Sequence, residues 1–215
     1  MTALRALLIA VALAALPAQA EEGNLAAAWA ALQRGDPVGS ARLVTDAITG
    51  GGLALEDVGA AYNLRGMAFM KLEDFANAEA DFTVATALVP TFAAALTNRG
   101  LARAKLERYA DAIVDFDKAL VIVPGEPEIL FMRGNARFDT NDFARAVDDY
   151  SLALKAEPQH WMALMNRCDA LGKLGRLDEA KADCAKAKPL APDAEIVERV
   201  VQALGPCDCK PSGKD

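Results

Sequence analysis

The sequence predicts an all-α protein built from repeated pairs of antiparallel helices. Of its 215 residues, 53% are hydrophobic but only 6% are aromatic. Alanine dominates the apolar fraction, which favours closely packed helices, and alanine also has the highest intrinsic helix propensity. Several residue types also recur with one fixed spacing along most of the chain, which is typical of repeat architectures.

The first twenty residues have the pattern of a secretory signal peptide. Arg5 precedes an apolar run from Ala6 to Leu16, which is too short to span a bilayer comfortably. Pro17 follows, and Ala18-Gln19-Ala20 is typical of a cleavage site. We therefore expect a signal peptide in residues 1–20 and an exported protein, periplasmic or secreted. An uncleaved membrane anchor is the alternative.

Residues 21–58 predict a degenerate helix pair. Asn24 to Arg34 has a helical pattern, Gly35-Asp36-Pro37 predicts a turn, and Val38 to Ile48 predicts the second helix. The glycines at 50–52 then lengthen the connection and shift the phase of the pattern that follows.

Four units of equal length follow without a gap, at residues 59–92, 93–126, 127–160 and 161–194. The alanines and the proline recur in all four units, and a glycine and an aromatic residue recur at fixed positions in the first three. The recurring residues are Gly66, Gly100 and Gly134; Ala78, Ala112, Ala146 and Ala180; Phe82, Phe116 and Tyr150; and Pro90, Pro124, Pro158 and Pro192. Small residues opposite large ones let paired helices interdigitate, and proline ends a helix.

This pattern resembles the tetratricopeptide repeat (TPR) family, whose unit is a helix–turn–helix of 34 residues. The resemblance implies a right-handed solenoid of antiparallel helix pairs, with the degenerate pair at one end. A capping helix is predicted at residues 193–204, where Asp193 favours the helix N-terminus. Residues 205–215 form a cysteine-containing tail.

An arginine and an aspartate also recur in every unit. The residues are Arg65, Arg99, Arg133 and Arg167 on the first helices, and Asp81, Asp115, Asp149 and Asp183 on the second helices. Since the two positions lie at similar heights in an antiparallel pair, we expect Arg–Asp ion pairs throughout the stack. A cationic groove that binds carboxylates is the alternative.

The fourth unit departs from the pattern at two cysteines. Cys168 replaces the glycine and Cys184 replaces the aromatic residue, so the two face each other and predict a disulfide in an oxidising compartment. Cys207 and Cys209 remain in the tail. They either pair with each other or bond to Cys168 and Cys184, because four cysteines allow three pairings. A redox or metal-binding motif is the further alternative.

The resemblance also implies that the first helices line a concave face that binds a partner protein or an extended peptide. The predicted binding residues are Asn63, Met67, Met70 and Lys71 in the first unit; Thr97, Leu101 and Lys105 in the second; Glu128, Phe131, Asn135 and Phe138 in the third; and Met162, Met165 and Asp169 in the fourth. Methionine and phenylalanine make this face adaptable and apolar. The alternatives are that terminal segments cover it or that the protein self-associates into a homo-oligomer.

A receptor for acidic C-termini is less favoured than one for an apolar segment. Some family members use lysines and asparagines for carboxylates, and Lys71 and Lys105 are candidates. Glu128 and Met132 replace the basic residues in the third unit.

Composition and motifs exclude several function classes. The net charge of −7 disfavours nucleic acid and anionic membranes as partners, since both require a basic patch. The chain has no glycine-rich phosphate loop, HExxH or GxSxG motif, and its one histidine, His160, is interpreted as a helix-boundary residue. We therefore predict a non-enzymatic scaffold without a cofactor or metal. The alternative is a thiol or metal-binding module that uses the tail.

Overall fold

The computed structural model describes residues 22–51 and 53–203, and all of its regular structure is α-helical. The predicted signal peptide and the tail with Cys207 and Cys209 lie outside the described residues. None of the helices within the described ranges is long and apolar enough to cross a membrane.

The described residues form eleven helices, which we number in chain order. They are α1 (Glu22–Gln33), α2 (Pro37–Gly50), α3 (Leu55–Lys71), α4 (Phe75–Leu88), α5 (Ala93–Lys105), α6 (Tyr109–Ile122), α7 (Pro127–Asp139), α8 (Phe143–Ala156), α9 (Trp161–Lys173), α10 (Leu177–Ala187) and α11 (Ala194–Ala203). The predicted all-α fold of successive helix pairs is confirmed.

The chain divides into two compact units. The first ends at Pro124 and contains α1–α6, in which each helix packs against the next. The second begins at Gly125 and contains α7–α10, which also pack in sequence, followed by α11, which contacts both α9 and α10. Each repeat therefore buries its apolar face partly against its own second helix and partly against a neighbouring pair.

The core of each of the first three repeats is a glycine packed against an aromatic ring. A Cβ atom added at Gly66 would lie 2.6 Å from the Phe82 ring, and one added at Gly134 would lie 2.6 Å from the Tyr150 ring. Both rings are completely buried. Only glycine permits this approach, which explains why a small residue and an aromatic one recur together.

A left-handed residue lies in the tight turn between the paired helices of each of the four repeats. Glu73, Glu107, Asn141 and Gly175 have φ values between 59° and 74°. The three residues other than glycine are slightly strained in this conformation, because their Cβ atoms crowd the backbone. The aspartates that follow in two of the turns compensate by capping the next helix: Asp74 accepts from the Asn77 amide and Asp142 from the Arg145 amide.

The terminal helices start and end within two residues of their predicted bounds. Asp36 accepts a hydrogen bond from the Gly39 amide at 2.8 Å and begins α2, which runs to Gly50 before the left-handed Gly51 ends it. At the other end, Asp193 accepts from the Glu195 amide at 2.8 Å at the start of α11.

Candidate functional site

One Arg–Asp ion pair joins the two helices of each repeat, as the sequence predicts. Arg65 donates from Nε to Asp81 Oδ2 at 2.7 Å and from Nη2 to Asp81 Oδ1 at 2.8 Å. This bond raises the pKa of the Arg65 guanidinium. The other pairs form the same two bonds at 2.6–3.0 Å: Arg99–Asp115, Arg133–Asp149 and Arg167–Asp183.

The third guanidinium nitrogen of three of these arginines connects the pair to the preceding helix. Arg65 Nη1 donates to Thr45 Oγ1 at 3.1 Å, and Arg99 Nη1 donates to Thr86 Oγ1 at 2.6 Å. In the fourth repeat, Arg167 Nη1 donates to the Ser151 hydroxyl at 2.9 Å. The N–H groups of these arginines therefore form hydrogen bonds within the protein. This favours structural ion pairs over a cationic groove that binds carboxylates.

Additional arginines that the sequence analysis did not identify reinforce two of the pairs. Arg103 donates to Asp115 at 2.8 Å and to Glu79 at 2.8 Å, and Arg137 donates to Asp149 at 2.9 Å. Each lies four residues after the repeated arginine on the same helix face. That spacing was the signal that could have revealed them.

The predicted disulfide between Cys168 and Cys184 is present. It joins α9 to α10 across a Cα–Cα distance of 5.6 Å, and both cysteines are buried. The disulfide occupies the place of the glycine and the aromatic ring in the other repeats. It therefore replaces a packing contact with a covalent link.

Three of the predicted binding residues are buried rather than exposed. Asn63 and Thr97 are 1% exposed, and Phe131 is 8% exposed. Asn98 of the following first helix donates to Asn63 Oδ1 at 3.1 Å, which covers it. Phe131 packs against the His160 ring with the centroids 4.7 Å apart. The expectation that these three side chains are exposed is therefore wrong, because neighbouring residues such as Asn98 and His160 pack over Asn63 and Phe131.

The remaining predicted residues keep access to solvent. The half-buried ones are Met67, Met70, Leu101, Glu128, Asn135, Phe138, Met162, Met165 and Asp169, and the exposed ones are Lys71 and Lys105. On each helix they are three or four residues apart, so they share one face. We call this set the inner face. It extends along α3 and α5 in the first unit and along α7 and α9 in the second.

An oriented asparagine lies on the inner face of the second unit. Asn135 Oδ1 accepts two hydrogen bonds, from the Tyr150 hydroxyl at 2.8 Å and from Asn166 Nδ2 at 2.8 Å. Burial raises the pKa of Tyr150, so this hydroxyl stays protonated and donates. Among the described residues, Asn135 Nδ2 has no hydrogen-bond acceptor. The carboxamide is thus fixed through its oxygen, and its NH₂ group is available to a ligand.

His160 is a helix-boundary residue, as predicted. Its Nδ1 accepts a hydrogen bond from the Ala163 amide at 3.1 Å and caps α9. Its Nε2 lies 3.9 Å from Glu128 Oε2. The imidazole therefore stabilises the start of α9 and at the same time packs against Phe131.

Solved structures share this fold at low sequence identity. MamA (41-end) from Desulfovibrio magneticus RS-1 is 16% identical with a TM-score of 0.72, and the alignment covers 79% of this chain and 94% of that one. A tetratricopeptide repeat protein from Parabacteroides merdae ATCC 43184 is 18% identical with a TM-score of 0.74, covering 86% of this chain and 72% of that one. TTC0263, a thermophilic TPR protein of Thermus thermophilus, is 19% identical with a TM-score of 0.62, covering 86% of this chain and 98% of that one.

No curated protein matches the chain in sequence. A family model described as a tetratricopeptide repeat matches residues 25–91, 63–127 and 131–195. These matches together span well over half of the chain, and they begin within α1, in the degenerate helix pair. They also coincide with the Gly–aromatic contacts and the Arg–Asp pairs that recur in the structure. The chain therefore belongs to the tetratricopeptide repeat family.

Proposed function

We propose that this protein is a periplasmic adaptor that binds an extended, largely apolar segment of a partner protein on its inner face. A tetratricopeptide repeat scaffold implies protein–protein interaction. The observation that supports this binding mode is the oriented Asn135, whose NH₂ group has no acceptor among the described residues. An extended peptide exposes backbone carbonyls that accept hydrogen bonds from such a group.

The side chains around Asn135 favour an apolar ligand. Phe138 lies one helical turn after Asn135 on α7. On α9, Met162 lies one turn before Asn166, which bonds directly to Asn135. Methionine adapts to irregular apolar shapes at low cost. A peptide that places apolar side chains against Phe138 and Met162 could present a carbonyl to Asn135 at the same time.

Two features support a periplasmic location. Residues 1–20 have the composition of a cleavable leader, and disulfides such as Cys168–Cys184 persist in oxidising compartments.

Photo-crosslinking in cells tests the proposal. A benzophenone amino acid in place of Met162 is expected to capture a partner, because this side chain lies on the inner face. The matched control replaces Leu152, which is 51% exposed on α8, and is expected to capture nothing. Mass spectrometry of the adduct identifies the crosslinked segment.

The Asn135→Asp variant tests the role of the amide. It keeps an oxygen for Tyr150 and Asn166 but removes the NH₂ donor. Loss of a hydrogen bond worth about 1.5 kcal/mol weakens binding roughly tenfold, so the yield of adduct from position 162 is expected to fall. Equal capture from positions 162 and 152 would contradict the inner-face proposal.

A further inference from the structure

A pocket in the second unit lies beside the Cys168–Cys184 disulfide. It has a volume of ≈450 Å³ and opens between α10 and α11. Cys184 and Ala185 line it from α10, and Val197, Val201 and Gln202 line it from α11. Cys168 is not part of the lining. Of the two cysteines of the disulfide, Cys184 is therefore the one that borders the pocket.

We propose that this pocket is a thiol–disulfide exchange site, which receives the chain's own C-terminal segment and places Cys207 against Cys184. This role goes beyond partner binding on the inner face and uses the tail cysteines that the inner face leaves unexplained. It assigns the occupant of the pocket to residues 204–209.

The position of the tail in the chain supports this occupant. Gln202 lines the pocket, and Cys207 follows it by only five residues. An extended chain spans at most about 3.5 Å per residue, so Cys207 reaches about 17 Å from Gln202. This reach is longer than the pocket is wide, so Cys207 can extend from Gln202 across the pocket to Cys184. A short tether of this kind also gives an effective concentration in the millimolar range.

The exchange balances without an external oxidant. The Cys207 thiolate attacks Cys184 Sγ, a Cys184–Cys207 bond forms, and Cys168 leaves as a thiolate that takes up a proton. The Cys209 thiolate then attacks the sulfur of Cys207 and releases Cys184. Two electrons pass from the tail cysteines to the Cys168–Cys184 disulfide, which we call the staple, and the protons lost by the tail thiols end on Cys168 and Cys184.

Helix α11 can yield to let the tail enter. Among its described side chains, only Val197 is buried, at 1% exposure. A helix held by a single fully buried side chain can open locally without unfolding the rest of the unit. The Lys188–Glu198 ion pair that also holds the helix is half-exposed on both sides and adds little.

A trapping experiment on the full chain tests the proposal. In Cys168→Ser/Cys209→Ser, only Cys184 and Cys207 remain, and in Cys184→Ser/Cys209→Ser, only Cys168 and Cys207 remain. Both variants lack the staple, so their loss of stability is matched. After equilibration in a glutathione buffer and acid quenching, the Cys184–Cys207 link is expected to form at least roughly tenfold more than the Cys168–Cys207 link, because the tethered thiol meets Cys184, which borders the pocket, and not Cys168.

Two further measurements separate exchange from random pairing. The Cys184–Cys207 yield is expected to be independent of protein concentration. In the otherwise unchanged chain, Cys207→Ser/Cys209→Ser is expected to slow reduction of the staple by a limiting thiol several-fold. Glutathionylated or free Cys184 in the first variant, or equal linkage of Cys207 to Cys168 and Cys184, would overturn the proposal.

Discussion

Asp115 lies completely buried between two guanidinium groups. Arg99 donates to both of its oxygens at 2.9 and 2.7 Å, and Arg103 adds a third bond at 2.8 Å. The side chains of these arginines are 11% and 18% exposed. Removing this carboxylate leaves Arg103 with Glu79 but deprives Arg99, which water reaches poorly, of its ion-pair partner.

Replacing Asp115 with alanine is therefore expected to destabilise the protein strongly. Breaking a buried ion pair by removing one partner costs about 3–5 kcal/mol. Urea unfolding followed by circular dichroism measures the change. The matched control is Asp111→Ala on the same helix, which removes an exposed partner of Arg108 and is expected to leave the unfolding midpoint nearly unchanged.

The two variants differ mainly in burial. The hydrogen bond from Arg108 lowers the pKa of Asp111, yet both groups remain largely in water, where solvent screens the pair. Similar midpoints for Asp115→Ala and the parent chain would show that the repeated ion pairs are dispensable for stability.

At the scale of helix pairs, the glycine of each first helix sets how closely the second helix approaches. A Cβ atom added at Gly100 would lie 2.8 Å from Phe116 Cε1. Phe116 is completely buried and has no room to move away. The α5–α6 pair would have to separate to accept even a methyl group.

Gly100→Ala is therefore expected to destabilise the protein despite the higher helix propensity of alanine. Overpacking costs about 1–3 kcal/mol, whereas the propensity gain is at most about 1 kcal/mol. The control is Gly50→Ala at the end of α2, where an added Cβ meets nothing within 4 Å, and this change is expected to be neutral or stabilising. Thermal melts of both variants provide the comparison, and a stabilised Gly100→Ala variant would contradict the packing argument.

The helix pairs could be predicted from the sequence because their core contacts repeat. Gly66 with Phe82 recurs as Gly134 with Tyr150, so one period predicts both elements and their pairing. The disulfide was predictable for the same reason, since Cys168 and Cys184 replace two residues already known to face each other. When both members of a contacting pair are replaced by cysteine in one repeat, the other repeats show that the two cysteines lie close enough to bond.

The burial of the predicted binding residues could not be read from the same pattern. Asn63 and Thr97 occupy equivalent polar positions that suggest exposure, yet both are buried. The cover on Asn63 comes from Asn98 of the next repeat, and such overlap depends on how far successive pairs are displaced. A period in the sequence gives the order of the helices but not that displacement.

For the whole molecule, the repeat predicts architecture more completely than specificity. Equivalent inner-face positions hold Met67, Leu101, Asn135 and Asp169, so the chain varies its chemistry where the core pattern places no demand. Stacking requires only that each unit bury its neighbour's apolar face. The same freedom lets the two units present different surfaces. Specificity for the proposed ligand would therefore depend on these variable residues.

The proposed periplasmic location gives a final prediction, which concerns the whole chain. Expressed in a bacterial host, it is expected to accumulate in the periplasm with a mass that lacks residues 1–20. A leader of this length inserts through its apolar run, and small residues at Ala18 and Ala20 fit the cleavage site. Intact mass spectrometry of the fractions measures this mass, and peptide mapping of the non-reduced protein is expected to show Cys168 joined to Cys184 in the exported form.

The Ala18→Arg variant is the matched control, because it alters the cleavage site and leaves the apolar run unchanged. It is expected to remain full-length in the membrane fraction, since a bulky charged residue does not fit the position that small residues occupy. If the parent chain also stays full-length in membranes, the leader is an anchor, and the adaptor operates at the membrane surface. If the parent chain stays in the cytoplasm with reduced cysteines, the periplasmic location is wrong and the exchange site lacks its oxidising compartment.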